Sequence, residues 1–248
     1  MISLIGLHVG VTSYDIAITQ LLNWVNENDS HYICIANVHM AMEAYDSASY
    51  RKIVNSADLV TPDGMPLVWM IRLKGQCDQQ RVYGPTLMLH VLEAASRENI
   101  PVGFYGGKPE VLESLIGRMQ ARYASLNVTY SFSPPFRAVS PEDDAVIVDQ
   151  INQSGVRILF VGLGCPKQEV WMAEHRGRVN AVMLGVGAAF DFHAGVKPQA
   201  PAWMQWVGLE WLFRLATEPR RLWKRYLYHN PRFIALAIAD LLGLLKVE

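Results

Sequence analysis

The sequence predicts an α/β protein built on a mostly parallel, Rossmann-like sheet flanked by helices. Short apolar or β-branched runs alternate with longer amphipathic segments, which is the pattern of strands joined by crossover helices. Proline stands at or near the start of several amphipathic segments, where a helix loses nothing by lacking an N–H. Of the 248 residues, 51% are hydrophobic and 18% are charged, so the chain can bury a core and is not disordered.

Each predicted strand corresponds to a short apolar run, and each predicted helix corresponds to an amphipathic segment. Six apolar runs have the length and composition of strands, at residues 31–36, 58–60, 101–105, 128–132, 157–161 and 181–186. Seven amphipathic segments have helical spacing, at residues 14–26, 40–55, 66–73, 85–97, 109–123, 141–153 and 166–175. We expect an α/β domain over residues 1–195 and a helical, basic and aromatic C-terminal appendage over residues 196–248.

The appendage differs from the rest of the chain in charge. Residues 196–248 hold eight Lys or Arg and four Asp or Glu, a net charge of +4, against −5 for residues 1–195. They also contain four of the seven tryptophans, while their longest apolar stretch, 233–245, is interrupted by Asp240 and falls short of the ~20 residues that span a bilayer. This composition fits a helix lying on an anionic membrane surface, and equally a helical cap or an interface in a homo-oligomer.

Composition also narrows the class of protein. A net charge of −1 argues against a nucleic-acid binder, which needs a basic excess to neutralise phosphates. Three widely spaced cysteines without a C-x-x-C pair fit a reducing compartment and offer no zinc motif. The first residues lack the basic region and cleavage site of a signal peptide, so we expect a cytoplasmic protein.

Candidate binding residues follow the ends of the predicted strands, where open α/β sheets bind their ligands. Three of these strand-end turns are glycine-rich, and glycine lets a backbone approach an anion while helix N-termini favour negative charge. A phosphorylated ligand is therefore expected. The turns supply residues 37–39, 61–64, 106–108, 162–169 and 185–191.

Several phosphate chemistries lack their motif in this sequence. The glycine pairs at 162–164 and 185–187 do not continue into G-x-G-x-x-G, so NAD or FAD binding is a weak interpretation, and no P-loop or G-x-S-x-G elbow occurs. The Asp-x-Asp pair with which metal-dependent sugar-nucleotide transferases hold their cation is also absent, and Asp191-x-His193 is the nearest approach. The sequence thus contains no recognisable motif for a catalytic metal, and we predict no cofactor.

The turn at residues 61–64 allows two interpretations. Asp63, at a strand end among phosphate-binding turns, could act as a general base toward a hydroxyl. Aspartate and glycine are also preferred turn and cap residues, so Asp63 could equally serve only the turn before the helix near Pro66.

An ordered set of motifs resembles the WecB/TagA/CpsF family of bacterial glycosyltransferases (glycosyltransferase family 26). The resemblance extends over nearly the whole chain, with the motifs in order and at the right spacing. They are Asn37-x-His39, Ala57-Asp58-x-x-Thr61-Pro62-Asp63-Gly64-Met65-Pro66, Arg81-Val82-Tyr83-Gly84, Phe104-Tyr105-Gly106-Gly107, Gly162-x-Gly164-x-Pro166-Lys167-Gln168-Glu169 and Gly185-Val186-Gly187-x-x-Phe190-Asp191-x-x-x-Gly195.

The resemblance implies an inverting, metal-independent enzyme at the cytoplasmic face of the membrane. It would move a sugar, N-acetylmannosamine-like or another hexose, from a UDP-sugar to a polyprenyl-diphosphate-linked sugar in the synthesis of teichoic acid, exopolysaccharide or a related polymer. By the same resemblance Asp63 is the general base, Arg81 contacts a diphosphate, and Asn37 and Gln168 hold the donor sugar. Many relatives carry Thr where this chain has Ile35, which leaves the identity of the sugars open.

Further candidate residues come from the turns and the appendage. Lys167 could take up charge on the departing UDP, although it could also only begin its helix; Phe190 could belong to the core and Asp191 could orient its loop. The expected substrate contacts from the turns are Gly106, Gly107, Lys167, Gly187, Phe190 and Asp191. The appendage offers arginines for the lipid diphosphate and the membrane, because an arginine can fork onto phosphate oxygens: Arg214, Arg220, Arg221 and Arg225.

Two other functions stay open at this stage. A non-catalytic UDP-sugar-binding protein of a polysaccharide assembly complex would bind the nucleotide without turnover. An NAD-dependent nucleotide-sugar enzyme would carry bound NAD.

Overall fold

The computed structural model describes residues 1–27, 29–135, 137 and 139–245, and it confirms the predicted α/β fold class. The strands are β1 (Ile2–Leu4), β2 (Leu7–Val9), β3 (His31–Ala36), β4 (Leu59–Pro62), β5 (Val102–Gly106), β6 (Val128–Phe132), β7 (Ile158–Gly162) and β8 (Val182–Gly185). The helices of the first 195 residues are α1 (Tyr14–Glu27), α2 (Val38–Asp46), α3 (Ala48–Asn55), α4 (Met65–Leu73), α5 (Gly84–Arg97), α6 (Pro109–Arg122), α7 (Pro141–Gln153), α8 (Lys167–His175) and α9 (Ala189–His193). The appendage contains α10 (Ala202–Trp206), α11 (Glu210–Thr217) and α12 (Pro219–Leu241).

All six predicted strands belong to one parallel sheet, in the order β4-β3-β8-β7-β5-β6. The central strands are buried along their length: every residue of β5 and of β8 is buried, as expected for parallel strands covered on both faces. Their side chains therefore fill the core.

Two local features differ from the sequence prediction. The predicted helix 40–55 is two helices, because Ser47 leaves the helical conformation (φ −133°) and its side chain accepts a hydrogen bond from the backbone N–H of Tyr50, capping α3. The antiparallel hairpin of β1 and β2 was not predicted. Its turn places Ile5 at φ 53°, a conformation that β-branched residues rarely adopt, so Gly6, at φ 82°, was the one turn residue that the sequence offered there.

Contacts divide the chain into two compact units, each assembled from separate stretches. The first unit comprises Met1–Ser13, Ile35–Tyr83 and Gln199–Glu248, and the second comprises Tyr14–Cys34 and Gly84–Pro198. The functional division that we predict at residue 195 from charge stays a prediction.

In the first unit the appendage is anchored through α12, which packs on α2 and α4. Leu222 and Phe233 of α12 are buried. Asp240, which interrupts the apolar stretch in the sequence, accepts a hydrogen bond from the N–H of Ile5 and pairs with Lys74 at 2.8 Å. Two charged residues of the appendage, Lys246 and Glu248, lie outside the described residues.

None of the helices within the described ranges has the length and apolar character needed to cross a bilayer.

Candidate functional site

Asp63 lies on the turn between β4 and α4, and backbone contacts fix that turn. The N–H groups of Asp63 and Gly64 both donate to the carbonyl oxygen of Ala36, at 2.8 and 3.2 Å. At Gly64 a Cβ atom would lie only 3.3 Å from the Cα of Asn37. The close approach of two chain segments therefore sets the position of the Asp63 carboxylate, and Gly64 permits that approach.

Asn37 begins α2 beside this turn. Its side-chain oxygen caps the helix by accepting a hydrogen bond from the N–H of Met40 at 3.2 Å. The helix start thus uses one end of the Asn37 amide, and the NH₂ end is the part that a sugar hydroxyl could contact.

Arg81 connects the Asp63 turn to the appendage. Its Nε donates to the backbone carbonyl of Asp63, and its Nη2 lies 3.4 Å from the Asp63 carboxylate. The same Nη2 pairs with Glu210 of α11 at 2.6 Å, and Nη1 donates a long, 3.5 Å hydrogen bond to the carbonyl of Gln205. The side chains of Asp63, Arg81 and Glu210 are 14–16% exposed, so the ion pairs are largely shielded from water.

Tyr83 completes this group, and we refer to Asp63, Arg81, Tyr83 and Glu210 as the Arg81 cluster. The Tyr83 hydroxyl donates to Glu210 at 3.2 Å, and the Arg81 guanidinium lies over the Tyr83 ring, 4.1 Å from its centroid. Burial, reinforced by the carboxylates of Glu210 and Asp63, raises the pKa of Tyr83 well above its ordinary value, so Tyr83 remains a neutral donor.

Electrostatics keeps Arg81 charged. Burial opposes its positive charge, but the carboxylates of Asp63 and Glu210 outweigh that effect and raise the pKa of Arg81 above its ordinary value. A guanidinium has five N–H donors, and four of them are used within the chain. In this arrangement Arg81 orients the Asp63 carboxylate but has no pair of donors left for a bidentate phosphate contact.

In the second unit the predicted glycine contacts lie at crowded backbone positions. Gly106 has a φ of +114°, and a Cβ there would stand 2.7 Å from the carbonyl carbon of Gly162. A Cβ at Gly162 would stand 2.5 Å from the ring of Phe190. Phe190 itself is 2% exposed and packs edge-on against Phe104, which places its side chain in the core. These positions are glycine because β5, β7 and Phe190 leave no room for a side chain.

Gln168 is buried at the start of α8, and its amide is engaged at both ends. Its oxygen accepts from the N–H of Gly164 at 3.1 Å, and its nitrogen donates to Glu169 at 2.7 Å. A Cβ at Gly187, which has a φ of +50°, would stand 3.2 Å from the same Gln168 oxygen. Gln168 therefore connects two of the predicted strand-end loops, and a role in holding the donor sugar stays a prediction.

The remaining predicted contacts of the second unit lie near the surface. Lys167 is the first residue of α8 and is exposed. A Cβ atom at Gly107 would stand 3.4 Å from the Phe190 ring. Asp191 pairs with Lys197 at 2.6 Å, and its carbonyl accepts from the N–H groups of Val196 and Lys197, so it orders the loop that follows α9.

The four arginines predicted for the lipid diphosphate have two kinds of environment. Arg220 and Arg221 are exposed at the start of α12, and Arg221 pairs with Glu218 at 2.8 Å. Arg214 of α11 and Arg225 of α12 are half-buried, and both lie close enough to Tyr226 to oppose the rise in pKa that burial gives its hydroxyl. The packing of α11 on α12 thus brings two of the four together.

Glu210, Tyr83 and Gln205 are the members of this site that sequence reasoning missed. Tyr83 stood inside a quoted motif without a role, and Glu210 was counted only as one of four acids in a basic segment. An acid in a segment rich in arginine and tryptophan was the available signal, but the sequence does not reveal which cation it faces.

The comparison with protein families identifies the family of the chain. Residues 2–246 match the model described as "Glycosyl transferase WecG/TagA/CpsF family", which extends over nearly the whole chain. The family supports a glycosyltransferase role in cell-surface polysaccharide synthesis, with a nucleotide-sugar donor and a lipid-linked acceptor in general terms. This match confirms the resemblance that the motifs suggested, and the chain belongs to the WecG/TagA/CpsF family of glycosyl transferases.

Proposed function

We propose that this protein transfers a hexose, N-acetylmannosamine-like or another, from a UDP-sugar to a polyprenyl-diphosphate-linked sugar, with inversion and without a catalytic metal. The observation that carries the proposal is the Asp63 carboxylate, shielded, fixed on a strand-end turn and paired with a cation in a chain of a glycosyltransferase family. The sequence lacks the Asp-x-Asp pair of metal-dependent transferases, which favours protein groups as the source of positive charge.

The transfer step needs a base because a sugar hydroxyl is a poor nucleophile. Asp63 accepts the proton of the acceptor hydroxyl. The oxygen of that hydroxyl attacks the anomeric carbon from the face opposite UDP. The carbon–oxygen bond to UDP breaks and its electron pair leaves with the diphosphate, so one displacement inverts the configuration. An arginine beside a carboxylate favours the ionised form that a base requires, and Arg81 supplies it.

The departing UDP carries additional negative charge, which Arg81 can take up only after its contacts change. Glu210 occupies its Nη2 at 2.6 Å in the unliganded chain. We propose that the diphosphate replaces Glu210 on Arg81, which would also move the Glu210 segment of the appendage. Two anions that compete for one guanidinium exclude each other, so Glu210 sets the affinity for the diphosphate.

We further propose that the appendage docks on the inner face of the cell membrane and brings Arg214, Arg220, Arg221 and Arg225 toward the lipid diphosphate. Large apolar side chains are exposed there, including Trp206 at 84% and Leu227 at 66%. Exposed tryptophan and leucine next to arginine is the composition that binds anionic lipid surfaces. Vesicle co-sedimentation and the oligomeric state of surface variants distinguish membrane docking from a homo-oligomer interface.

The donor is tested by isothermal titration of the metal-stripped protein with UDP and a panel of UDP-sugars. Saturable binding with a preference for one UDP-sugar, unchanged by added Mg²⁺, supports the proposal. A folded protein that binds no uridine nucleotide, with or without a short-chain polyprenyl-diphosphate sugar present, contradicts it. Product formation from the preferred donor separates a transferase from a binding protein.

The docking surface is tested with point variants, because residues 199–248 are part of the first unit and their deletion would expose its core. Trp206→Ser combined with Leu227→Ser should reduce co-sedimentation with vesicles containing anionic lipid while the circular dichroism spectrum is unchanged. Val146→Ser, at an exposed apolar position of α7, is the matched control. Unchanged sedimentation of the double variant, with a change in its oligomeric state instead, would assign this surface to a subunit interface.

A further inference from the structure

Two histidines and a glutamate from α2 and α12 face one another in the first unit. His39 and Glu43 are one turn apart on α2, with His39 Nε2 3.2 Å from a Glu43 carboxylate oxygen. His229 of α12 presents its Nε2 to the same oxygen at 3.9 Å. One ligand-type atom of each residue lies within 4.8 Å of the other two, and we refer to these three residues as the His39 cluster.

The imidazole of His229 is poorly satisfied by the protein. Its side chain is 12% exposed, and its Nδ1 is buried without a hydrogen-bond partner among the described residues. The 3.9 Å contact from Nε2 to Glu43 exceeds hydrogen-bond length. The protein therefore holds this imidazole by no hydrogen bond among the described residues, and its Nε2 faces Glu43 without a close partner.

We propose that the His39 cluster binds a divalent transition-metal ion of the Zn²⁺ class, through both imidazoles and the Glu43 carboxylate. Two histidines and one glutamate form a ligand set that zinc accepts, with a fourth position left for water. Ligand atoms around tetrahedral zinc lie about 3.3 Å apart, as bond lengths near 2.0–2.1 Å require. The His39 Nε2–Glu43 distance of 3.2 Å already matches that spacing, and the His229 Nε2–Glu43 distance of 3.9 Å is somewhat longer.

The ligand atoms, and not the surrounding charges, select the kind of ion. Glu43 and Asp46 of α2 are negative, but Asp46 is already paired with Arg232 of α12 at 2.5 Å. Arg225 and Arg214 act on His39 with positive charge. This positive charge opposes every dication alike, so the ligand atoms decide between them: imidazole nitrogen is a ligand that zinc prefers, whereas Mg²⁺ and Ca²⁺ prefer oxygen.

The consequence of metal binding is mechanical rather than catalytic. A bound ion would join α12 of the appendage to α2, whose N-terminus is capped by Asn37, the residue that the family resemblance assigns to the donor sugar. Metal binding would therefore stabilise the packing of the appendage and the start of α2, and it supplies no step of the transfer.

The test uses the whole untagged chain with the substitution Cys77→Ser, because Cys77 is an exposed thiol and a rival ligand. This protein is stripped with a chelator and titrated with Zn²⁺ and with Co²⁺. We expect one bound ion per chain by elemental analysis, visible Co²⁺ absorption of the intensity typical of tetrahedral coordination, and a rise of a few degrees in the thermal midpoint. His229→Ala should weaken Zn²⁺ binding more than about tenfold and remove both optical and thermal responses.

His8→Ala, which removes an exposed imidazole of the same unit, is the control and should change nothing. Glu43→Gln preserves the size of the side chain and tests the ligand set if His229→Ala fails to fold. The proposal is overturned if the folded parent chain binds Zn²⁺ no more tightly than His229→Ala and Glu43→Gln do, or if all of them bind one equivalent alike.

Discussion

The Arg81 cluster and the glycine loops of the second unit hold their functional groups in opposite ways. In the Arg81 cluster, charged side chains from distant stretches of chain fix one another through ion pairs, which can exchange partners when an anion arrives. At Gly106 and Gly162, backbone segments approach so closely that a single Cβ would collide. The first region is adjustable and the second is not, so substitutions should alter chemistry in one and stability in the other.

The largest expected effect is on turnover in the Arg81 cluster. Asp63→Asn removes the proposed base but retains the backbone carbonyl that accepts from Arg81, so the local structure should persist. We expect transfer to slow by about 10²–10⁴-fold, measured with the preferred UDP-sugar and a short-chain lipid acceptor, while UDP binding is largely retained. Asp78→Asn, an exposed acid of the same unit, should behave as the parent. A near-normal rate for Asp63→Asn would remove Asp63 from the role of base.

The rigid region should respond in stability. Gly106→Ala adds a Cβ 2.7 Å from the backbone of Gly162 at a φ of +114°. The collision and the backbone strain should each cost about 1–3 kcal/mol of the free energy of unfolding, measured by chemical denaturation.

Gly117→Ala provides the matched control for that substitution. Gly117 lies inside α6, and nothing lies within 4 Å of the position that its Cβ would take. Alanine there should stabilise the protein by about 0.5–1 kcal/mol, because glycine is unfavourable in a helix interior. Equal effects at Gly106 and Gly117 would show that crowding does not explain the glycine at 106.

A smaller effect tests the adjustable character of the Arg81 cluster. Glu210→Gln removes the anion that competes for Arg81. We therefore expect the Kd for UDP to fall about 3- to 10-fold in isothermal titration, which corresponds to about 0.7–1.4 kcal/mol of binding free energy. Glu218→Gln removes another acid of the appendage, one paired with the half-exposed Arg221, and should leave the Kd unchanged. Weaker UDP binding in Glu210→Gln would mean that Glu210 supports the diphosphate site instead of competing for it.

The smallest effect concerns a charged contact of the second unit that lies near the surface. Burial alone would raise the pKa of Asp144, but hydrogen bonds from Arg178 and His175 outweigh it and hold the pKa below the ordinary value of 3.8. The ionised carboxylate therefore stabilises the fold above about pH 4, and this contribution is lost as the pH falls through the lowered pKa.

We expect Asp144→Asn to reduce the loss of stability between pH 5 and pH 3 by less than about 1 kcal/mol, because its partner Arg178 is 44% exposed and solvent weakens that ion pair. Urea denaturation at the two pH values measures the difference. Asp149→Asn, an exposed acid of the same helix, should show the full acid-dependent loss.

The same contrast explains what the sequence could reveal. Strand positions, most helix bounds and the glycine loops depend on neighbours within a few residues, and hydrophobic period and turn composition report such local constraints. Even there, the Ser47 break was missed because a cap inside an otherwise continuous helical segment changes only one residue.

The Arg81 cluster was predicted in part. The motif around Asp63 suggested a base, and the resemblance assigned Arg81 to a diphosphate. The contact with Glu210 joins positions 129 residues apart, and no periodicity carries information over that distance. Likewise, nothing in the spacing of His39 and Glu43 indicated that His229 would join them. Pairings created only by the tertiary fold were the part that sequence reasoning could not supply.

The interleaved path of the first unit has a consequence for synthesis in the cell. A ribosome that adds about 5–20 residues per second needs roughly 6–26 s to travel from Arg81 to Glu210, which follows it by 129 residues. During that interval the nascent chain holds Asp63 and Arg81 without the segment that supplies Glu210, while most of the second unit, residues 84–198, is being synthesised. The first unit can therefore close only at the end of translation, and a message truncated shortly before codon 199 would yield a product that contains the glycine loops but an Arg81 cluster without Glu210.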